Sequence, residues 1–163
     1  LHSLIQGGGQ EQGYRAGTEN VAAIHCFGAA TEIAQESLKN MKEVTKIRNN
    51  IESKIKQLAP DAVIFGEDSS RLPNTSMIAM PFVPSETQVM HFDMEGIAVS
   101  SGSACSSGKV EISHVLLAMG VEPELAKCAI RISLGTNNTM QDAMQFINAW
   151  KMLYERAGVR KAA

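Results

Sequence analysis

The sequence predicts an α+β fold, a small sheet covered by helices on one face. Three observations predict it. Apolar residues recur at helical spacing in long segments near both ends of the chain. Between them lie short runs with strand alternation, punctuated by Gly, Pro and Asn. The element order is two helices, then strands mixed with short helices, then one long helix, which does not repeat a strand–helix unit.

The elements follow in order. Residues 7–13 form a glycine-rich loop. Thr18 is placed to cap a helix running to about Leu38, with Glu19 in its first turn. Its small residues (Ala22, Ala23, Ala29, Ala30) suit close packing on a neighbour, and His25 and Cys26 are expected to be packed. A second helix covers about 40–58. Val44, Ile47, Ile51, Ile55 and Leu58 form its apolar stripe, and Pro60-Asp61 ends it. Ala62–Phe65 and Thr75–Met80 are expected strands. Ser85 with Gln88 matches a capping box and opens a helix to about 95, stopped by Gly96. Ile97–Val99 is an expected strand. Ser113–Met119 is a short helix closed by Gly120, and Pro123 starts another to about 128. Ala129–Leu134 is a strand with Ile130, Ile132 and Leu134 on one face and Arg131 and Ser133 on the other. Thr139 and Asp142 open a terminal helix whose buried stripe is Ala143, Ile147, Trp150 and Tyr154, with a frayed tail from Gly158.

Composition narrows the function. The chain has 163 residues, 44% hydrophobic and 20% charged, ordinary for a globular fold. A net charge of −2 gives no support to nucleic-acid or anionic-membrane binding. No apolar run approaches the roughly 20 residues that span a bilayer, and the first residues carry no signal-peptide pattern. Three cysteines without a CxxC pair fit a reducing compartment rather than a disulfide framework. The four histidines do not fall at metal-ligand spacings with the cysteines, so no metal is expected. Cys128 is expected to be a small buried hydrophobe, and most of the nine methionines core filler. The chain opens on Leu1 and is expected to be part of something longer.

Three places can carry chemistry. In Ser100-Ser101-Gly102-Ser103-Ala104-Cys105-Ser106-Ser107-Gly108 no side chain exceeds a thiol in size. Such a run has little apolar surface to bury and favours an open loop, which makes Cys105 an accessible thiol. Lys109 and His114 are near it in sequence, but neither is an assigned activator. Arg131, in Ile130-Arg131-Ile132, carries a guanidinium that suits a substrate carboxylate bidentately, though an edge-strand arginine or an ion pair within the fold explains it as well. Gly7-Gly8-Gly9 and Thr18 can offer backbone N–H groups and a hydroxyl to a phosphate, but a plain loop and helix cap explain them as well. No Lys-Ser/Thr follows the glycines, so this is not a Walker loop.

Taken together, Gly7-Gly8-Gly9-Gln10-Glu11 through Arg15-Ala16-Gly17-Thr18, then Val99 through Cys105, then Ile130 through Gly135 resemble the carboxy-terminal part of a cysteine desulfurase of the NifS/IscS type, a class-V aminotransferase. Pro73-Asn74 ahead of a strand adds to the resemblance, which covers nearly the whole chain. It implies the carboxy-terminal domain of a fold-type I enzyme dependent on pyridoxal 5'-phosphate. Residues 1–38 would be the glycine loop and connecting helix of a large domain, and 39–163 a small domain bearing the cysteine loop. It implies that Cys105 takes the sulfur of L-cysteine as a persulfide and releases L-alanine. Arg131 would hold the substrate carboxylate, and Thr18 would reach the cofactor phosphate of the partner subunit in a homodimer. The sulfur would pass to an acceptor scaffold protein for iron–sulfur cluster assembly in the cytoplasm. The family's cofactor lysine, with its ring-stacking histidine and aspartate, lies upstream of the glycine loop. No lysine here sits in that motif, so the isolated chain is expected to be inert.

Two other functions compete. One is a non-catalytic sulfur-relay or scaffold domain that binds partners through the cysteine loop. The other is a peroxidase-like thiol enzyme, for which the sequence has no resolving-cysteine motif.

Overall fold

The structure, a computed structural model, describes residues 2–3, 5–102 and 112–162, with side chains to Gly158. The chain divides into two compact units, Leu1–Lys39 and Asn40–Ala163.

In the first unit a 3₁₀ turn, Gln10–Gly13, precedes α1 (Val21–Leu38). The helix is capped by Asn20, whose side-chain oxygen accepts from Ala23 N at 3.1 Å. The expected cap at Thr18 is therefore corrected: Thr18 stays in the loop, two residues too early. No residue of α1 is buried, and His25 and Cys26, which were expected to be packed, are exposed. Apolar neighbours along a helix do not by themselves bury a residue; a facing element must do that.

The second unit holds a four-stranded antiparallel sheet: β1 (Val63–Ile64), β2 (Thr75–Ala79), β3 (Ser100–Ser101) and β4 (Ala129–Ser133), in spatial order β1-β2-β4-β3. α2 (Met41–Leu58), α3 (Ser85–Met94) and α6 (Met140–Ala162) supply the main core. Val44, Ile47, Ile51 and Ile55 of α2 are buried as the stripe predicts. From α6 come Ala143, Ile147 and Trp150, and from the sheet Ile64, Ile78, Ile130 and Ile132. Phe92 of α3 stacks on Phe146 of α6 with ring centroids 4.8 Å apart, and Trp150 closes the cluster.

A smaller cluster joins Ala79 and Ala129 to Leu116, Ala126 and Cys128. Strand alternation aims Val63, Ala79 and Ala129 away from the main core, so α4 (His114–Ala118) and α5 (Pro123–Ala126) cover one end of the second sheet face. The rest of that face is open at Arg131 and Ser133.

Several boundaries and one motif depart from expectation. The strand expected at Ile97–Val99 forms at Ser100–Ser101 instead, beside β4. Ser85 is not a cap: α3 follows Pro84, whose extended ψ of 145° sets the entry, with no side-chain capping bond. Gln88 is instead fully buried, and its amide donates to Val83 O at 2.8 Å and Cys128 O at 2.7 Å. The methionines are mostly not core filler. Met80 is buried, whereas Met90, Met94, Met119, Met140, Met144 and Met152 are exposed. α6 continues through the expected frayed tail to Ala162, and its start is a reciprocal pair: Thr139 N donates to Asp142 Oδ2 at 2.7 Å and Asp142 N to Thr139 Oγ1 at 3.3 Å.

Candidate functional site

Strand β4 positions Arg131. Ile130 and Ile132 point into the main core, while Arg131 and Ser133 project from the other side, which they share with Ala129. In register, Arg131 stands between Met77 of β2 and Ser100 of β3. All three belong to the open sheet face, because strand neighbours in register share a side. Among the described residues Arg131 makes no ion pair and no side-chain hydrogen bond. An exposed arginine in a rigid strand with its donors unspent is a ready receptor for a carboxylate.

Ser100 begins the small-residue run. Gly102, two residues on, packs beside Ser113, Leu116 and the Ala129 carbonyl. That anchors the amino-terminal root of the run to β4 and α4. Cys105 itself, the expected nucleophile, lies outside the described residues, as does Lys109.

Thr18 belongs to the first unit. Arg15 organises its loop by donating from Nη1 to Gly17 O and to Thr18 O, both at 3.0 Å. Gln10 accepts from Gly17 N at 3.3 Å. Gly17 carries φ +102°, a conformation that suits glycine. Thr18 is exposed, and its hydroxyl makes no hydrogen bond among the described residues. It sits just ahead of the positive end of α1. Arg131 and Thr18 fall in different units.

The other thiols differ in environment. Cys26 is exposed on α1. Cys128 is buried as expected, and its thiol donates to Glu124 O at 3.3 Å. Burial pushes the Cys128 thiol up, and the backbone N–H groups of Phe82 and Val83 only partly oppose that. Cys128 is therefore held as an unreactive thiol. Among the described residues no group of three or more His, Cys, Asp or Glu could hold a metal ion. No helix among them is long and apolar enough to cross a membrane.

One group escaped the sequence. Glu52 of α2 takes a bidentate ion pair from Arg71, with Nη1–Oε1 2.8 Å and Nη2–Oε2 2.9 Å, and a 2.6 Å hydrogen bond from Ser76 Oγ. It ties α2 to the turn before β2. The only available signal was Glu52 lying next to Ile51 in the buried stripe.

Known proteins match both the sequence and the fold. The class-V aminotransferase family matches residues 3–146. A cysteine desulfurase IscS of Dictyoglomus turgidum is 40% identical over 157 residues, which are 96% of this chain and 40% of that protein. The cysteine desulfurase NifS of Azotobacter vinelandii is 40% identical over 140 residues, 85% of this chain and 35% of its own length. Among solved structures, a NifS-like protein from Rickettsia africae superposes with a TM-score of 0.78 at 39% identity, over 94% of this chain and 40% of that one. The chain thus spans about 40% of the length of such relatives. With fold and family profile in agreement over most of its length, the chain belongs to the class-V aminotransferase family.

Proposed function

We propose that this chain is the carboxy-terminal part of a cysteine desulfurase. The observation that carries the proposal is Arg131, without a partner among the described residues, sharing an open sheet face with Ser100, at the root of the run that holds Cys105. The kinship to cysteine desulfurases along nearly the whole chain supports it.

The chemistry assigns roles as follows. Arg131 binds the α-carboxylate of L-cysteine through two parallel hydrogen bonds and so fixes where the substrate sulfur points. The Cys105 thiolate forms an S–S bond to that sulfur as the substrate C–S bond breaks. The products are L-alanine and a persulfide on Cys105. The acceptor is a scaffold protein for iron–sulfur cluster assembly, the enzyme is a homodimer, and the compartment is the reducing cytoplasm.

Pyridoxal 5'-phosphate, when bound, supplies an electron sink for bonds at the substrate α-carbon. The residues here fit one corner of that cofactor. The exposed Thr18 hydroxyl, unspent beside the positive end of α1, suits a phosphate oxygen, that of the partner subunit's cofactor. No lysine of this chain is assigned to hold the cofactor, so the isolated 163 residues are inert.

The test uses the protein at the length its native cell makes. Replacing Cys105→Ser is expected to leave cofactor absorbance intact and to abolish sulfur transfer to a protein acceptor. Retained transfer overturns the role of Cys105. A native product of 17.6 kDa that hands on sulfur without the cofactor favours a sulfur-relay domain instead.

A further inference from the structure

Within the second unit lies a cleft of about 720 Å³, the size range of ligand sites. Two segments build it. One is the turn before α3, with Pro81, Phe82 and Pro84. The other runs from Glu122 through α5 to Cys128, with Leu125 as its apolar wall. Gly102 and Ile112 also line it.

Two features mark it as a place that receives something. Phe82 is 74% exposed, and its backbone has φ +68°, a left-handed conformation that costs an aromatic residue free energy. The fold thus holds a large apolar ring at the cleft edge against both hydration and backbone preference. The charge is also one-sided. Glu86, Glu122 and Glu124 line the cleft, and Lys127 is its only lysine or arginine among the described residues. Lys127 is spent on Glu124 at 2.6 Å. Glu86 and Glu122, one from each segment, have no ion pair among the described residues.

An apolar cleft carrying two carboxylates on separate segments, neither ion-paired among the described residues, complements an apolar body flanked by cations. We propose that this cleft docks a basic peptide segment of a partner protein, with an apolar side chain buried against Phe82 and Leu125 and lysine or arginine groups on Glu86 and Glu122. The Cys128 thiol at its floor is committed to the Glu124 carbonyl, so the cleft binds and does not react. The proposal stands independently of the sulfur chemistry, since none of these residues has a role in it.

The probe is a labelled hexapeptide, a leucine–phenylalanine pair between two pairs of lysines, titrated into the full chain at low salt. Binding is expected, with amide shifts at Gly102, Leu125 and Lys127 in heteronuclear spectra. Glu86→Gln with Glu122→Gln, both exposed and without a side-chain bond among the described residues, is expected to weaken binding roughly threefold to tenfold. Raising the salt should do the same. Replacing the apolar pair of the peptide by two glycines is expected to abolish binding. Unchanged affinity in the double variant, shifts elsewhere on the chain, or equal binding of the glycine peptide overturns the proposal. Spermine binding as tightly as the peptide also overturns it, in favour of a small polyamine. Self-association of the chain that disappears in the double variant overturns it in favour of a second copy.

Discussion

Glu52 shows how one buried carboxylate organises its surroundings. Burial by itself would raise its pKa from the ordinary 4.5; the Arg71 hydrogen bonds and charge, with the Ser76 hydroxyl, outweigh this and hold it lower. A carboxyl held low in the fold contributes stability that is complete above about pH 5 and lost as pH falls through its folded value. Glu52→Gln removes that contribution and leaves Arg71 facing a neutral amide. It is expected to cost about 2 kcal/mol at neutral pH. The stability of the variant should also fall less steeply than the parent's below about pH 5. Urea midpoints from pH 7 downward measure both, and parallel curves would refute the linkage. The thiols give a second prediction at this scale. Cys26 is open to solvent, while Cys128 is buried with its pKa raised. In native protein treated with iodoacetamide and mapped by mass spectrometry, Cys26 is expected to alkylate far faster than Cys128. Comparable rates would contradict the buried, protonated Cys128.

Among the elements, those with a periodic apolar stripe were legible in sequence. α2 declared itself through Val44, Ile47, Ile51 and Ile55, and β4 through Ile130 and Ile132 alternating with Arg131. Local patterns that need a facing element were not. The Ser85–Gln88 spacing fits a capping box, but a long-range demand drew the Gln88 amide inward to two carbonyls, one of them forty residues away. In the same way, the residues of α1 were apolar enough to look packed, yet none is buried. Thr18 and Arg131 were legible as chemical types, but that Arg131 has no partner among the described residues became visible only when the ladder put Met77 and Ser100 beside it. An eighteen-residue helix without buried side chains has little beyond its own hydrogen bonds to protect it. Amides of α1 are therefore expected to exchange with solvent orders of magnitude faster than those of α2 and α6 in this chain. Hydrogen-exchange mass spectrometry reads this directly. Equal protection in α1 and α6 would show that its apolar residues are covered in solution.

At the scale of the molecule, the second unit puts its core and its exposed arginine on opposite sides of one sheet. Ile130 and Ile132 face α2, α3 and α6, and Arg131 between them faces out. Strand alternation makes this separation possible, because a single strand serves both faces without sharing a side chain. The consequence can be measured as additivity. Ile55, fully buried on α2, lies on the helix side. Ile55→Ala removes packed methylenes and is expected to cost about 2–5 kcal/mol. Arg131→Gln, at an exposed site without a partner among the described residues, is expected to change stability by less than about 0.5 kcal/mol. The two share no partner, so the double variant should lie within about 0.5 kcal/mol of their sum. Trp150, the single tryptophan and fully buried beside Phe92 and Phe146, reports unfolding of this core by fluorescence. A coupling above about 1 kcal/mol would mean that the open face is mechanically tied to the core. Additivity would mean that the arginine face can be altered without disturbing the core that carries it, as expected of a sheet whose two faces share no side chain.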